Sequence, residues 1–411
     1  MSEDYDLIVI GAGMAGVAAA NKCGAAGWRV AIVDALPYGG TCALRGCDPK
    51  KILRRGAEII DAARLMKGKG IDPGDLSINW ADLMAHKRGF TDPVPDKMEK
   101  ALTGNGVETL RGDARFTGKN TLEADGKTYQ SKRFLVAAGA MPRPLEFAGA
   151  GLVIDSTDFL NLEALPERIL FIGGGFVSFE FAHIAARAGA KPIIVDHNAR
   201  PLGGFDPDLV EMLIERSTGI GVNLMREAEI VSVSEAHGIF TVEVKSGEQT
   251  RTIETDLVVH GAGRVAALTD LNLEAAGVDH SDKGIVVAPH LQSATNSAVY
   301  AAGDSADTDG LPLTPVAVIE GKGAASNMRR SHRIMQAFRQ PSSPFRKWRV
   351  SACWKMRRRT PGMMSMFDSP IRAVGIRTTG SAKPPPRRKS SWTSRTVKSS
   401  VRICSVRNTA N

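Results

Sequence analysis

The chain has 411 residues, 43% of them hydrophobic, enough for two or three domains with ordinary buried cores. No run reaches the roughly 18 uninterrupted apolar residues of a membrane span, and the acidic opening Met1-Ser2-Glu3-Asp4-Tyr5-Asp6 runs directly into a strand, which excludes the basic start of a secretory signal. The net charge of +9 is not a nucleic-acid footprint of the whole molecule: of 53 basic and 44 acidic residues, 19 and one fall in 331–411, leaving an acidic body of 34 against 43. A cytosolic location is expected, and there a close cysteine pair is catalytic or metal-binding rather than a structural staple.

In chain order, an apolar strand over 6–11 breaks into Gly11-Ala12-Gly13-Met14-Ala15-Gly16 and an Ala-rich helix through about Ala26, and a second strand ends at Asp34. This is a βαβ dinucleotide fingerprint: Gly11, Gly13 and Gly16 permit the tight turn and close pyrophosphate approach, the helix N-terminus attracts phosphate, and Asp34 is placed to accept from a ribose. Next comes Gly39-Gly40-Thr41-Cys42-Ala43-Leu44-Arg45-Gly46-Cys47-Asp48-Pro49-Lys50-Lys51. Two thiols this close can form a small reversible disulfide, and the flanking glycines allow a flat redox cofactor to approach the backbone. The thiolate is the reactive form, and Lys50 and Lys51 supply positive charge that favours it. A zinc site competes for the same cysteines but wants four ligands, and the nearest further candidate is Cys23. Thioredoxin-like exchange wants two intervening residues rather than four.

The strand–turn–helix pattern recurs at 168–178, with Gly173 and Gly175 in the turn, Ser178 in place of the third glycine, and a following strand that ends at Asp196. A lone glycine fingerprint is a weak signal, whereas two with strand, helix and acid in register imply two nucleotide sites. The alternating stretches from Val222 to Ile253 read as a meander, and the strand at 255–264, with Gly263, closes the second nucleotide domain. Strands also end at Gly139 and at Gly303-Asp304, although either alone reads equally as a buried strand and its turn.

In this order the residues resemble the pyridine nucleotide–disulfide oxidoreductases, the group of glutathione reductase, dihydrolipoamide dehydrogenase and mercuric reductase; the resemblance covers about 5–328 and its most specific part is the intact Gly-Gly-Thr-Cys-x4-Cys-x-Pro-Lys-Lys block. It implies an α/β fold of two doubly wound Rossmann-like nucleotide-binding domains, with an FAD domain at 1–145 and 265–328 split around an NAD(P) domain at 146–264. It also implies FAD on the first fingerprint, with Thr41 beside the flavin and Asp304 on its ribitol, and NAD(P)H on the second. Cys47 becomes the sulfur facing the flavin and Cys42 the interchange thiol. Lys50 matches the lysine that pairs with a glutamate near the flavin, and Glu180 matches that glutamate; without the family pattern Glu180 reads as well as an ordinary helix-face carboxylate. Lys51 is assigned to the cofactor-binding set with the glycines. Asp196 favours NADH, because an acid there accepts from a 2′-hydroxyl and repels a 2′-phosphate, although His197 and Arg200 can neutralise one. The implied substrate is a small-molecule disulfide or a metal ion, and no resident metal is expected.

Relatives continue into a dimerisation domain whose His-Glu pair serves the partner subunit's disulfide. Residues 329–411 here are Arg/Ser/Pro-rich and predict a disordered basic tail instead. If each codon's third base is read with the next codon's first two, synonymous codons convert residues 338–356 into VPSAVFTIPEMARVGMLED, which resembles the opening of that domain, and the last stretch yields QILGAHLFGPEY. A frame change near Met328–Ser331 is therefore expected; the competing reading is a basic arm for nucleic acid or acidic partners. Two further functional alternatives follow: a monomeric flavin-binding remnant that reduces only dyes or oxygen, or a flavoprotein carrying that arm.

Overall fold

The structure is a computed structural model that describes residues 4–329. Of the predicted basic tail at 329–411 only Arg329 is described, as the last residue of a helix; residues 330–411 lie outside the described residues, and the expected frame change near Met328–Ser331 falls across that boundary.

The first apolar run forms β1 (Leu7–Ile10), followed by helix α1 (Met14–Gly24) and β2 (Val30–Asp34). Helix α2 (Cys47–Leu65) begins at the second thiol. Strands β3 (Val107–Arg111) and β4 (Phe134–Val136) follow. The second fingerprint contributes β5 (Arg168–Ile172), α3 (Phe176–Arg187) and β6 (Lys191–Val195). After it come α4 (Pro207–Gly219), β7 (Asn223–Met225), β8 (Leu257–His260), β9 (Val299–Ala301) and α5 (Thr314–Arg329).

These strands build two parallel sheets. One has the order β9-β4-β1-β2-β3 and the other β7-β6-β5-β8. Strands β1, β4 and β8 are buried throughout, the mark of parallel strands covered on both faces, so they read as continuous apolar runs rather than alternating ones. Each sheet carries its glycine turn at the carboxyl end of its central strand, where open α/β sheets bind ligands. The expected doubly wound α/β fold is therefore present.

Helices α1 and α5 lie together through small residues. A Cβ at Gly321 would come within 2.2 Å of the Ala15 carbonyl oxygen, so that contact requires glycine. Helix α2 packs through Leu53 and Ala57 on a core shared with Phe179 and Ala182 of α3. Ionic contacts reinforce the seat: Asp61 of α2 meets Arg187 of α3 at 3.1 Å and Arg216 of α4 at 2.5 Å.

The predicted meander begins later than Val222. Residues 223–225 pair in parallel with β6 and complete the second sheet, and the antiparallel strands run over Glu229–Ala236, Ile239–Ser246 and Gln249–Thr255. Strand β7 is the return from α4, a helix the alternating pattern does not reveal. Its signal is local: Asp206 accepts from the backbone amides of Asp208 and Leu209, and Pro207 occupies the first helical position.

Candidate functional site

Glycine geometry seats the cysteine turn on the first fingerprint. Gly11 has φ +101°, and a Cβ there would lie 2.3 Å from the Ala137 carbonyl oxygen. Gly40 has φ +64°, and a Cβ there would lie 2.4 Å from the Cα of Gly13. The two loops thus touch backbone to backbone, a contact that only paired glycines allow. A π-helical turn over Thr41–Arg45 carries Cys42, and Cys47 opens α2.

Both thiols are free and partly exposed. They are chemically unequal. The hydrogen bond from Cys42 is the main influence holding the Cys47 pKa down to about 6; burial opposes it, and the Thr314 hydroxyl, Lys50 and Lys51 add to the lowering. The same hydrogen bond, followed by burial, pushes the Cys42 thiol far up, because its proton is the one shared. Thr314, the first residue of α5, places its Oγ1 3.8 Å from Cys47 Sγ. In the flavin-free, reduced protein, Cys47 is expected to react with iodoacetamide with a midpoint near pH 6 instead of 9.0. Because the pKa is lowered, the thiolate persists above that midpoint and reactivity falls as pH drops through it. Thr314→Val should raise the midpoint by about one unit, the equivalent of one ordinary hydrogen bond. Mass-spectrometric alkylation profiles measure both, and a Cys47 midpoint near 9 would contradict the assignment.

Lys50 of α2 and Glu180 of α3 form an ion pair at 2.5 Å beside the thiols. A cleft of about 580 Å³ gathers Gly11, Gly13, Asp34, Thr41, Cys42, Cys47, Lys50, Gly139, Glu180, Gly303 and Asp304 on one wall system. Asp34 Oδ2 accepts from the Ala12 amide at 2.7 Å, and Oδ1 accepts from Leu36 at 2.9 Å, so each oxygen keeps a lone pair for a further donor. Burial raises the Asp304 pKa, with Arg264 opposing.

A second cleft of about 750 Å³ lies over the second fingerprint and holds Gly173, Gly175, Asp196 and Gly263. Gly173 has φ +94°, and a Cβ there would meet the Cα of Ala262 at 2.7 Å. Asp196 is 2% exposed, and its Oδ2 has no hydrogen-bond partner. A buried carboxylate oxygen without a donor is costly, which suits a site that completes itself with a ligand hydroxyl. Phe176, Val177, Arg264, Gly303 and Asp304 line both clefts, so molecules in the two would meet across that wall.

Three predicted residues stand elsewhere. Gly16 and Ser178 are buried within their helices, and Lys51 is exposed and lines neither cleft. Gly16 serves packing, since a Cβ there would lie 1.9 Å from the Gly11 carbonyl oxygen. Ser178 is accommodated because its Oγ occupies the space a Cβ on Gly261 would need, at 2.0 Å. Lys51 acts on the site only through its charge on Cys47. Thr314 and Glu320 escape the sequence reading. Glu320, 6% exposed on α5, accepts from the Gly303 amide and the Thr308 hydroxyl, both at 2.8 Å, and so holds the loop that presents Asp304. A buried acid among alanines and glycines is its one visible sign. Cys23 is buried in α1 with its pKa raised to about 11 by burial, and no cluster of three or more potential metal ligands occurs among the described residues.

The glycine cradles, the lone pairs of Asp34 and the unpartnered oxygen of Asp196 fit two dinucleotides. Residues 5–321 match the family described as Pyridine nucleotide-disulphide oxidoreductase. A glutathione reductase of Burkholderia cepacia is 32% identical over 325 residues, covering 79% of this chain and 71% of that protein. A mercuric reductase of Bacillus cereus is 32% identical over 327 residues, covering 79% of this chain and 52% of that one. Among solved structures, the Cu(II) complex of the HOCl-induced flavoprotein disulfide reductase RclA from Escherichia coli superposes with a TM-score of 0.71 at 24% identity, over 82% of this chain and 73% of the other.

Proposed function

The chain belongs to the pyridine nucleotide-disulphide oxidoreductases, FAD-dependent enzymes that use NAD(P)H, and from that premise we propose that it catalyses NADH + H⁺ + RSSR → NAD⁺ + 2 RSH at the Cys42–Cys47 pair. The observation that carries this reading is the unequal thiol pair, set in the same cleft as the first glycine turn and the Lys50–Glu180 ion pair. Bound FAD would supply the two-electron link between nicotinamide and disulfide. Gly11, Gly13, Thr41, Gly139, Gly303 and the carboxylates Asp34 and Asp304 would hold it; Gly173, Gly175, Gly263 and Asp196 would hold the nicotinamide nucleotide. Asp196 supports NADH over NADPH, because its unpartnered oxygen would accept from a ribose hydroxyl and repel a 2′-phosphate.

The thiols divide the remaining work. Cys47 stays ionised near neutrality, and Cys42 keeps the proton it shares. When a substrate disulfide reaches Cys42, that proton moves to Cys47 Sγ, the Cys42 thiolate attacks one substrate sulfur, and the displaced sulfur takes the proton from Cys47 and leaves as the first thiol. The Cys47 thiolate then attacks Cys42 Sγ of the mixed disulfide, restoring the Cys42–Cys47 disulfide and releasing the second sulfur as a thiolate that takes its proton from solvent. The raised pKa of Cys42 makes the opening proton transfer uphill, so an external base would accelerate it. For the family, the resemblance implies that base as the His-Glu pair of a partner subunit in a homodimer; residues 329–411 as given do not resemble the domain that carries the pair. A soft metal ion is the other substrate class that a dithiol can receive. No helix among the described residues is long and apolar enough to cross a membrane, and a cytoplasmic setting suits a thiol-based enzyme.

The deciding experiment adds NADH anaerobically to the oxidised protein and counts alkylated cysteines by peptide mapping. Cys42 and Cys47 should gain label together with bleaching of a bound yellow chromophore. A colourless protein whose two thiols ignore NADH would refute the proposal. A second reading has its own support in the shifted-frame text of residues 338–356: a chain that reduces dyes with NADH but leaves disulfides untouched, for want of the interface base. Intact mass and resequencing test the frame change, and comparison of dye with disulfide turnover separates the two activities.

A further inference from the structure

Arg45 is the one strongly basic side chain inside the cysteine turn itself, and neither the glycine fingerprints nor the thiol chemistry gives it a task. It is part-buried on the wall of the first cleft, and among the described residues its guanidinium makes no hydrogen bond or ion pair. None of its nitrogens is a fully buried unpartnered atom, so they open onto the cleft, where a ligand that fills it would have to offer them acceptors in place of solvent. Burial accordingly holds its pKa below the usual guanidinium value; Asp34 pulls it back up, Arg264 pushes it further down and Asp155 raises it. Neither carboxylate closes on it. Asp34 accepts from two backbone amides, and Asp155 caps the turn at 156–159.

Asp34, Arg264 and Asp304 line the same cleft as Arg45. Asp34 stands at the end proposed for the adenosine ribose. Arg264 and Asp304, which influence one another, stand at the end proposed for the ribitol. Arg45 is within electrostatic reach of Asp34 and Arg264, and between its two polyhydroxyl ends the cofactor carries a diphosphate. A planar fork of donors matches phosphate oxygens in pairs, and a dianion seated there would relieve the mutual repulsion of Arg45 and Arg264. The amino end of α1, whose Gly13 and Met14 line the same cleft, favours the same charge.

We propose that Arg45 is a diphosphate-binding residue, supplied by the redox turn, that makes uptake of the phosphorylated flavin and placement of the Cys42–Cys47 pair a single event. The inference rests on the FAD assignment made above. It adds that the turn bearing the thiols itself grips the cofactor's charged centre.

The test uses the full-length chain freed of flavin and follows fluorescence quenching of FAD and of riboflavin, which lacks the diphosphate. Arg45→Met should weaken FAD binding by about 10- to 100-fold, the span of a lost charge-assisted contact, and change riboflavin binding by less than about twofold. Arg45→Lys should recover part of the loss. An FAD affinity within about twofold of the wild type would overturn the proposal. So would equal losses for FAD and riboflavin, which would mean that Arg45 only shapes the turn. Arg45→Gln replaces the methionine substitution if that protein does not fold. A wild-type chain that binds neither flavin would instead overturn the FAD assignment itself, an outcome distinct from a wild type that binds FAD and an Arg45 variant that binds it equally well.

Discussion

Cys42→Ser is expected to reduce NADH-dependent disulfide reduction by about 10³-fold or more, while FAD content and NADH oxidation by an artificial dye stay within about twofold of the wild type. A serine hydroxyl in this position does not ionise and cannot form the mixed disulfide. The dye needs neither sulfur, so the two assays separate exchange from cofactor binding. Cys47→Ser should match it in disulfide turnover, since a mixed disulfide that cannot be resolved is a dead end. Unlike Cys42→Ser, it also replaces the thiolate that accepts the Cys42 proton by a neutral hydroxyl, so the alkylation midpoint of Cys42 should fall back toward its ordinary value. Disulfide turnover by Cys42→Ser at more than about a tenth of the wild-type rate would remove Cys42 from the reaction.

The second large effect is conformational. Gly40→Ala should cost about 2–4 kcal/mol of stability and weaken flavin retention, because it combines a left-handed backbone with a hard contact to the Gly13 backbone at 2.4 Å. Gly139→Ala is the natural comparison. Gly139 also has positive φ, +77°, but no atom lies within 4 Å of its missing Cβ, so strain alone applies, at about 1 kcal/mol. Urea unfolding of the two variants measures the difference. Equal losses would show that the close approach of the two turns carries no energy of its own, and the seat of the thiols on the fingerprint would then need another explanation.

Much of this site is legible in the chain because it depends on local chemistry. Gly11, Gly40 and Gly173 announce backbone conformations that other residues resist, and the glycine–cysteine block keeps its chemistry within thirteen consecutive residues. Buried parallel strands announce themselves as short apolar runs. What stays hidden is tertiary. Thr314 reaches Cys47 across 267 positions, Glu320 organises the Asp304 loop from another helix, and Gly261 makes room for Ser178; none of these pairings leaves a periodicity or a spacing to find. Helix α4 is a different omission, since Asp206-Pro207 carries an ordinary start signal that the alternating pattern after it obscures. Arg45 is plainly visible as a residue, but its lack of a partner can be known only once the cleft is built.

The first sheet has a consequence for how the protein is made. Strand β4 takes its outer neighbour β9 from residues 299–301, so the whole second sheet is synthesised between two adjacent strands of the first. On the ribosome the later-starting unit can reach its full hydrogen-bonded set while the earlier one still presents an open edge at Phe134–Val136. A nascent chain stalled between residues 136 and 299 would expose that edge, and such edges template aggregation. Selection on translation speed and chaperone access should therefore act on the middle third of the gene, far from the cysteines whose chemistry it serves.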